Sequence, residues 1–455
     1  MPKPIHINLF IQSRGHHETA WDHPGADPRS LMDISYYVDL AKQAEAAKLD
    51  SIFFADVLMM TNDAMESGRF WPDPVIMLAA IAMQTERVGL IATGSCTYSE
   101  PYNLARQFAS IDHISGGRAA WNIVTTWVEA VAANYGREHT AHGDRYEKGE
   151  EFVAAVKDLW DSWADDALVD DRTPDKQAGG VCGDLSRITP IDFKGEYYQV
   201  KGPLNVPRSP QGRPVLVQAG ASDRGRDFAA LHAEAIFTAH LEKETAQEFY
   251  RDIKKRAANF GRNADQVVIL PGLNPVIGGT EAEAKENLME LNARMDPEVG
   301  RRTLSQRFAG HDFSHIDLDQ PLKASDFPEP EGLETMKSRA ALIVRIVEKE
   351  GLTLRELLAR FAGGRGHYTT AGTPEQIADL IQDWCDPDSA GSDGGGPAAD
   401  GFNYMPPVIP ALMNPFMDEV VPLLQKRGLF RTEYEGTTLR ENLGLDRPAS
   451  RFFPA

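Results

Sequence analysis

Cysteine is scarce in this 455-residue chain. Cys96, Cys182 and Cys385 stand far apart and form no CxxC pair. That pattern argues against a disulfide framework and a zinc site and fits a reducing cytoplasm. Long apolar runs are also missing: no stretch approaches the ~20 residues that a membrane span needs. The opening MPKPIHINLFIQ has no charged segment followed by a long apolar run, so it does not read as a signal peptide. Positive charge is in deficit, with 47 Lys and Arg against 67 Asp and Glu and a net charge of -20. A surface of that sign repels nucleic acid and anionic lipid. HExxH, GxSxG with triad partners, a P-loop and GxGxxG after a strand are absent too, which leaves hydrolysis and nucleotide-triphosphate chemistry without support. The expectation is a cytoplasmic protein with no metal site, no nucleic-acid partner and no membrane segment.

The chain does contain an alternation. Short apolar runs at 5–11, 51–55, 88–93, 119–124, 214–218, 235–238, 267–270 and 401–404 read as buried parallel strands. Helical patterns follow at 30–48, 73–84, 101–114, 145–163, 223–232, 242–259, 280–295 and 407–427. Strand and helix alternating eight times predict an α/β fold, a (β/α)₈ TIM barrel in one domain over 1–455. Two stretches break the rhythm, 165–213 and 297–372, and are read as insertions, the second carrying a helix near 342–361. The segment 386–400, DPDSAGSDGGGPAAD, has the composition of a mobile loop. It and the second insertion are candidate lids. Residues 445–455 are expected to form an arm on the surface or on a partner subunit.

A barrel of this kind places its active site at the C-terminal ends of its strands. Those ends here are polar: Ser13 to His17, Asp56, Ser95 to Tyr98, Asn122 to Thr126, Gln218 to Ser222, His240, and Asn403 to Met405. Solvent exposure alone explains any one of them; together they favour a ligand mouth. Gly220-Ala221-Ser222-Asp223-Arg224-Gly225 leads into a helix. It reads as an ordinary N-cap, or as a phosphate cradle of small residues on a helix N-terminus. His142 and Tyr146, four apart, share a helix face. They read as a polar first turn or as an imidazole and a phenol offered to a ligand.

The stretch 91–126, IATGSCTYSEPYNLARQFASIDHISGGRAAWNIVTT, resembles the nitrilotriacetate monooxygenase component A family of bacterial-luciferase-like flavin enzymes. So do 195–225, GEYYQVKGPLNVPRSPQGRPVLVQAGASDRG, then GHHETAWDHPGAD, HGDRYEKGEEF and TLRENLGL. The resemblance runs from residue 5 to about 445. It implies a luciferase-like barrel, a homodimer or homotetramer, and oxidation of a small organic substrate by dioxygen and reduced FMN through a flavin peroxide. A separate NAD(P)H-dependent flavin reductase would supply the reduced FMN. Carried over by motif, Asp56, Cys96, Thr97, Asn122 and Val124 would meet the flavin, His142 and Tyr146 the flavin and its phosphate, and Ala221 and Ser222 the phosphate. Asp223 departs from expectation, because a carboxylate beside a phosphate repels it unless it points away. For proton exchange near the reacting edge, His16 and His17 are candidates, and so are His240 and His311. Each of these histidines can equally be a structural anchor. Phe10, Met59, Phe70, Trp71 and Phe237 are candidates for an apolar substrate wall or for core. A barrel using a deazaflavin hydride carrier, and a flavin-binding barrel without catalysis, remain the alternatives.

Overall fold

The computed structural model describes residues 4–454, apart from 62–63, 66, 140–141, 170–181, 330–336, 365 and 392–394. Eleven strands appear in chain order: β1 (His6–Ile11), β2 (Ser51–Phe54), β3 (Gly89–Ser95), β4 (Ala119–Val124), β5 (Phe193–Lys194), β6 (Gln199–Val200), β7 (Val215–Gln218), β8 (Ala235–Thr238), β9 (Val268–Ile277), β10 (Tyr368–Gly372) and β11 (Gly401–Tyr404). The parallel order β1-β2-β3-β4-β7-β8-β9-β11 returns to β1, where Asn8 faces Asn403, and closes an eight-stranded barrel. All eight expected strands are there.

The two faces of each strand divide the core. Phe10, Phe53, Ile91, Ala120, Val217, Phe237 and Leu270 fill the interior. Their alternates, among them Leu9, Ile52, Leu90, Trp121 and Leu216, pack outward beneath the helices. Inside, Phe10 lies on Phe53 and Phe53 on Phe237, with centroids 4.5 and 4.7 Å apart, an aromatic floor under the barrel mouth. Helices begin where the side chains can satisfy their free N–H groups: Asp33, Asp73, Ser222 and Thr280 all cap their helices from the N-terminal side.

The foot of the barrel is closed by the chain itself. Leu439, Leu443 and Leu445 belong to the same apolar cluster as the interior strand residues. The short helix Leu439–Asn442 that opens this segment has a capping box between Thr438 and Glu441. Arg440, 2% exposed, sends both terminal nitrogens to Glu234, at 2.6 and 3.0 Å. Residues 446–451 then run over the chain's own surface, where Arg447 pairs with Asp165 and Arg451 with Asp158. The arm expected from 445 onward thus folds back on its own subunit.

Several expectations are corrected. β9 runs to Ile277 rather than stopping at 270, because β11 and β10 pair with its upper part. β10 lies in the second insertion and was missed. The helix expected at 342–361 is two, Lys337–Glu350 and Leu354–Gly364, separated at Gly351, whose φ is +64°. Helical structure after the last strand starts at Asn414, not 407. The glycine-rich segment 386–400 joins the helix Pro374–Cys385 to the start of β11. It runs along the helix Lys243–Asn259, where Lys243 donates to Ser389 Oγ and Gln247 to the Gly396 carbonyl; its residues 392–394 lie outside the described residues. The second insertion follows β9 and does stand at the mouth. It has a hydrophobic core of its own around Phe308, Phe313, Phe327 and Leu357, and the loop after β1 touches it where Glu18 N–H donates to the Ala362 carbonyl.

Candidate active site

The strongest local construction stands between two helix starts. Ser222 caps the helix Asp223–His232, and its Oγ accepts from Gly225 N–H at 3.1 Å. The Tyr146 hydroxyl, from the first turns of the helix His142–Trp160, lies 3.5 Å from the same oxygen. Tyr146 is buried and its ring packs edge-on against Phe228. No side chain fits at the glycines here. A Cβ on Gly225 would stand 2.8 Å from the Tyr146 hydroxyl, and one on Gly220 would stand 2.7 Å from the Gly225 carbonyl. Backbone, two hydroxyls and the positive end of the helix Asp223–His232 meet at one place, which is what an anion needs. Asp223 does not spoil it. Its side chain is 85% exposed and paired with Arg256 at 2.6 Å. Ala221 presents its backbone beside it, its carbonyl accepting from Arg226. The His142 side chain lies outside the described residues.

The flavin-edge candidates sit at neighbouring strand ends. Asn122 points inward with Ala120 and donates to Thr93 Oγ1 at 2.9 Å; its buried Oδ1 has no partner among the described residues. Val124 alternates with it at the end of β4. Thr97 is buried, and its hydroxyl accepts from Thr126 N–H at 3.1 Å. Ser95 Oγ holds the turn by accepting from Thr97 and Tyr98 N–H. Asp56 follows β2. Burial, and then the nearby Asp73 carboxylate, push its carboxyl up to about 6. A carboxyl whose folded pKa is raised adds stability below its unfolded value and loses it as pH rises through the folded value. Asp56→Asn is therefore expected to raise the melting temperature at pH 8 and leave it nearly unchanged at pH 4. Thermal melts at the two pH values check this; an equal shift at both would show that Asp56 bears no such strain.

Cys96 needs correction. Its thiol faces the outer layer, 3.3 Å from the Val124 carbonyl, and a Cβ on Gly149 of the outer helix would stand 3.4 Å from the sulfur. Burial pushes it up to about 12. It is a packed, protonated thiol rather than a group turned to the mouth.

The histidines divide. His16 is fully buried, binds the Phe10 carbonyl at 2.9 Å and packs edge-on against the Phe10 ring, which keeps it above the aromatic floor. His17 Nδ1 accepts from Thr19 N–H at 3.2 Å, and its Nε2 meets Asn292 Oδ1 at 3.1 Å. These contacts tie the loop after β1 to the helix Glu281–Ala293. His240 sits between the Thr238 and Thr245 hydroxyls. Burial first, and then Arg226, hold it down at about 3, so it is a neutral imidazole near neutrality. His311 is half-buried in the second insertion, edge-on to Phe313 and with its Nε2 at 3.1 Å from the Asp326 carbonyl. Of the wall candidates, Phe10 and Phe237 form the floor, Met59 packs with Tyr98 and Val131, and Phe70 and Trp71 lean on the outer core.

No motif announces a bridge between the segments that follow the neighbouring strands β3 and β4. The Tyr98 hydroxyl lies 3.4 Å from His139 Nδ1, and Arg145 Nη1 lies 2.8 Å from His139 Nε2. Tyr98 also stacks on Tyr135 at 4.9 Å. The three polar groups come from the end of β3, the loop after β4 and a helix, so no spacing in the sequence announces them.

Among the described residues no three His, Cys, Asp or Glu are grouped to hold a metal ion, and no helix is long and apolar enough to cross a membrane. The profile of the luciferase-like monooxygenases matches residues 6–387. N-acetyl-S-(2-succino)cysteine monooxygenase of Bacillus subtilis (strain 168) is 44% identical over 451 residues, 99% of this chain and 98% of its own. Nitrilotriacetate monooxygenase component A of Aminobacter aminovorans is 41% identical, over 98% of this chain and 97% of its own. Among solved structures, EDTA monooxygenase from Chelativorans sp. BNC1 superposes with a TM-score of 0.82 at 34% identity, covering 98% of this chain and 99% of that one.

Proposed function

The chain belongs to the luciferase-like monooxygenases and is an oxidoreductase of that class, and on this premise we propose that it is the oxygenase component of a two-component system using reduced FMN. The observation that carries the FMN reading is the cradle of Ser222, Gly225 and Tyr146. It is shaped for a phosphate and closed to side chains. Ser222, the Ala221 backbone and Tyr146, with His142, would hold the phosphate. Asp56, Thr97, Asn122 and Val124 would meet the ring, and the Asn122 Oδ1 offers an acceptor to a ring N–H. Bound there, reduced FMN supplies the electrons that activate dioxygen. The chain's own part is to orient, to donate hydrogen bonds and to keep water out. The phenyl floor makes the base of the mouth dry, and the second insertion covers its side. His16 is the histidine placed closest to that floor. His17 fixes the neighbouring loop.

A separate NAD(P)H-dependent flavin reductase would deliver the cofactor, and the site of action would be the cytoplasm. A homodimer or homotetramer is proposed as the working form. Ile76 and Ile114, 72% and 49% exposed on adjacent helices, are the apolar surface that supports it. Substrates worth screening first are those named for the two relatives above, N-acetyl-S-(2-succino)cysteine and nitrilotriacetate.

The test is rapid mixing of the protein and photoreduced FMN with oxygenated buffer. An absorbing species distinct from reduced and oxidised FMN, outliving that of free flavin, supports the oxygenase. FMN oxidising as it does in solution sinks it and directs the search to a deazaflavin. Ser222→Ala is expected to weaken reduced-FMN binding by ~1–3 kcal/mol, the loss of one hydrogen bond to a charged group. Anaerobic titration reads this, and unchanged affinity removes Ser222 from the phosphate site.

A further inference from the structure

The bridge between Tyr98, His139 and Arg145 has a direction. An arginine nitrogen can only donate, so the 2.8 Å contact from Arg145 makes His139 Nε2 the acceptor. The proton of a neutral imidazole then sits on Nδ1, facing the Tyr98 oxygen at 3.4 Å. Tyr98 Oη thus accepts, and its own hydrogen must go elsewhere. Tyr98 is only 5% exposed, and no protein acceptor for that hydrogen is found among the described residues. A buried phenol of this kind finds a partner.

Its surroundings say where. Ser95 Oγ fixes the backbone of Thr97 and Tyr98 at the C-terminal end of β3. The ring packs with Met59, from the segment after β2, and with Val131 and Ala132, from the segment after β4. It stacks on Tyr135, which feels the charges of Asp56 and Asp73. Arg145, at the other end of the bridge, precedes Tyr146 of the cradle. The bridge therefore spans from the cradle side of the mouth to the Asp56 side.

We infer that Tyr98 is a hydrogen-bond donor to an acceptor oxygen of the bound flavin, and that Arg145 and His139 set the direction of its hydroxyl. This rests on the FMN reading above. His139 and Arg145 are positioning residues; they act through Tyr98.

The experiment is anaerobic titration of the intact protein with photoreduced FMN, with thermal melts as a control on folding. Tyr98→Phe keeps the ring stack and is expected to weaken binding about tenfold or more, the effect of one hydrogen bond lost. His139→Leu removes the acceptor and the donor together and is expected to match it. His139→Gln can accept from arginine and donate to the phenol, and should restore most of the affinity. Equal binding by Tyr98→Phe and the wild type overturns the assignment. Weak binding by Tyr98→Phe with normal binding by His139→Leu overturns the relay, as does His139→Gln behaving like His139→Leu. If the wild type itself binds no reduced FMN while melting cooperatively, the cofactor reading fails, and this one with it.

Discussion

Arg440→Ala is expected to lower the unfolding free energy by about 3–5 kcal/mol at neutral pH, the cost of leaving a buried charge without its partner. The stranded group is Glu234. Burial drives its carboxyl up, and Arg440 beside it more than reverses that, leaving it at about 2. A carboxylate held down in this way contributes stability above its unfolded pKa and loses it as pH falls toward the folded value. The gap between variant and wild type should therefore be full at pH 7 and should narrow below about pH 4.5. Arg440 also carries contacts that alanine cannot make, to the Arg213 and Asp446 carbonyls at the barrel foot. Denaturant melts at pH 7 and pH 4 read both effects. A loss under 1 kcal/mol at pH 7 would mean that Glu234 finds water or Arg213 instead.

Gly225→Ala is expected to act on binding rather than on stability. The new methyl would meet the Tyr146 hydroxyl at 2.8 Å and Ser222 Oγ at 3.0 Å. Neither can retreat freely: the tyrosine ring is packed on Phe228, and the serine is engaged as a cap. Two donors to the phosphate would be displaced together, each worth about 1.5–3 kcal/mol to a charged partner, so reduced-FMN affinity should fall at least a hundredfold. Alanine is the better helix former by about 1 kcal/mol, so the melting temperature should move little. Titration beside a thermal melt separates the two. Full affinity in the variant would show that the cofactor's phosphate binds elsewhere.

The barrel was legible because its strands are buried on both faces and read as plain apolar runs between helical patterns. The upper half of β9 was not, since PGLNPVI carries two prolines and a glycine that look like a break. The strand survives there because β10 and β11 pair on either side of it. β10 itself, YTTAG, is too short and too polar to announce a strand. The phosphate cradle was visible as small residues before a helix, but what makes Asp223 harmless was not: Arg256 comes from the next helix, 33 residues on. His17 stood out as one of two adjacent histidines, while its partner Asn292 is 275 residues away. The bridge through His139 needed three separate elements in place. Local chemistry could be read directly; which groups face each other depended on the closed topology.

The foot of the barrel also sets an order of events during synthesis. β1 pairs on one side with β11, and the interior is sealed by Leu439, Leu443 and Leu445. A ribosome-bound chain that stops short of β11 holds β1 and β9 as open sheet edges, and one that stops short of Leu439 leaves the apolar interior unsealed. Such edges are templates for wrong pairing. The barrel can therefore close only after nearly all of the chain has left the ribosome. Until then its nascent form is a natural client for chaperones, and truncation within 401–445 should yield aggregates rather than a smaller enzyme.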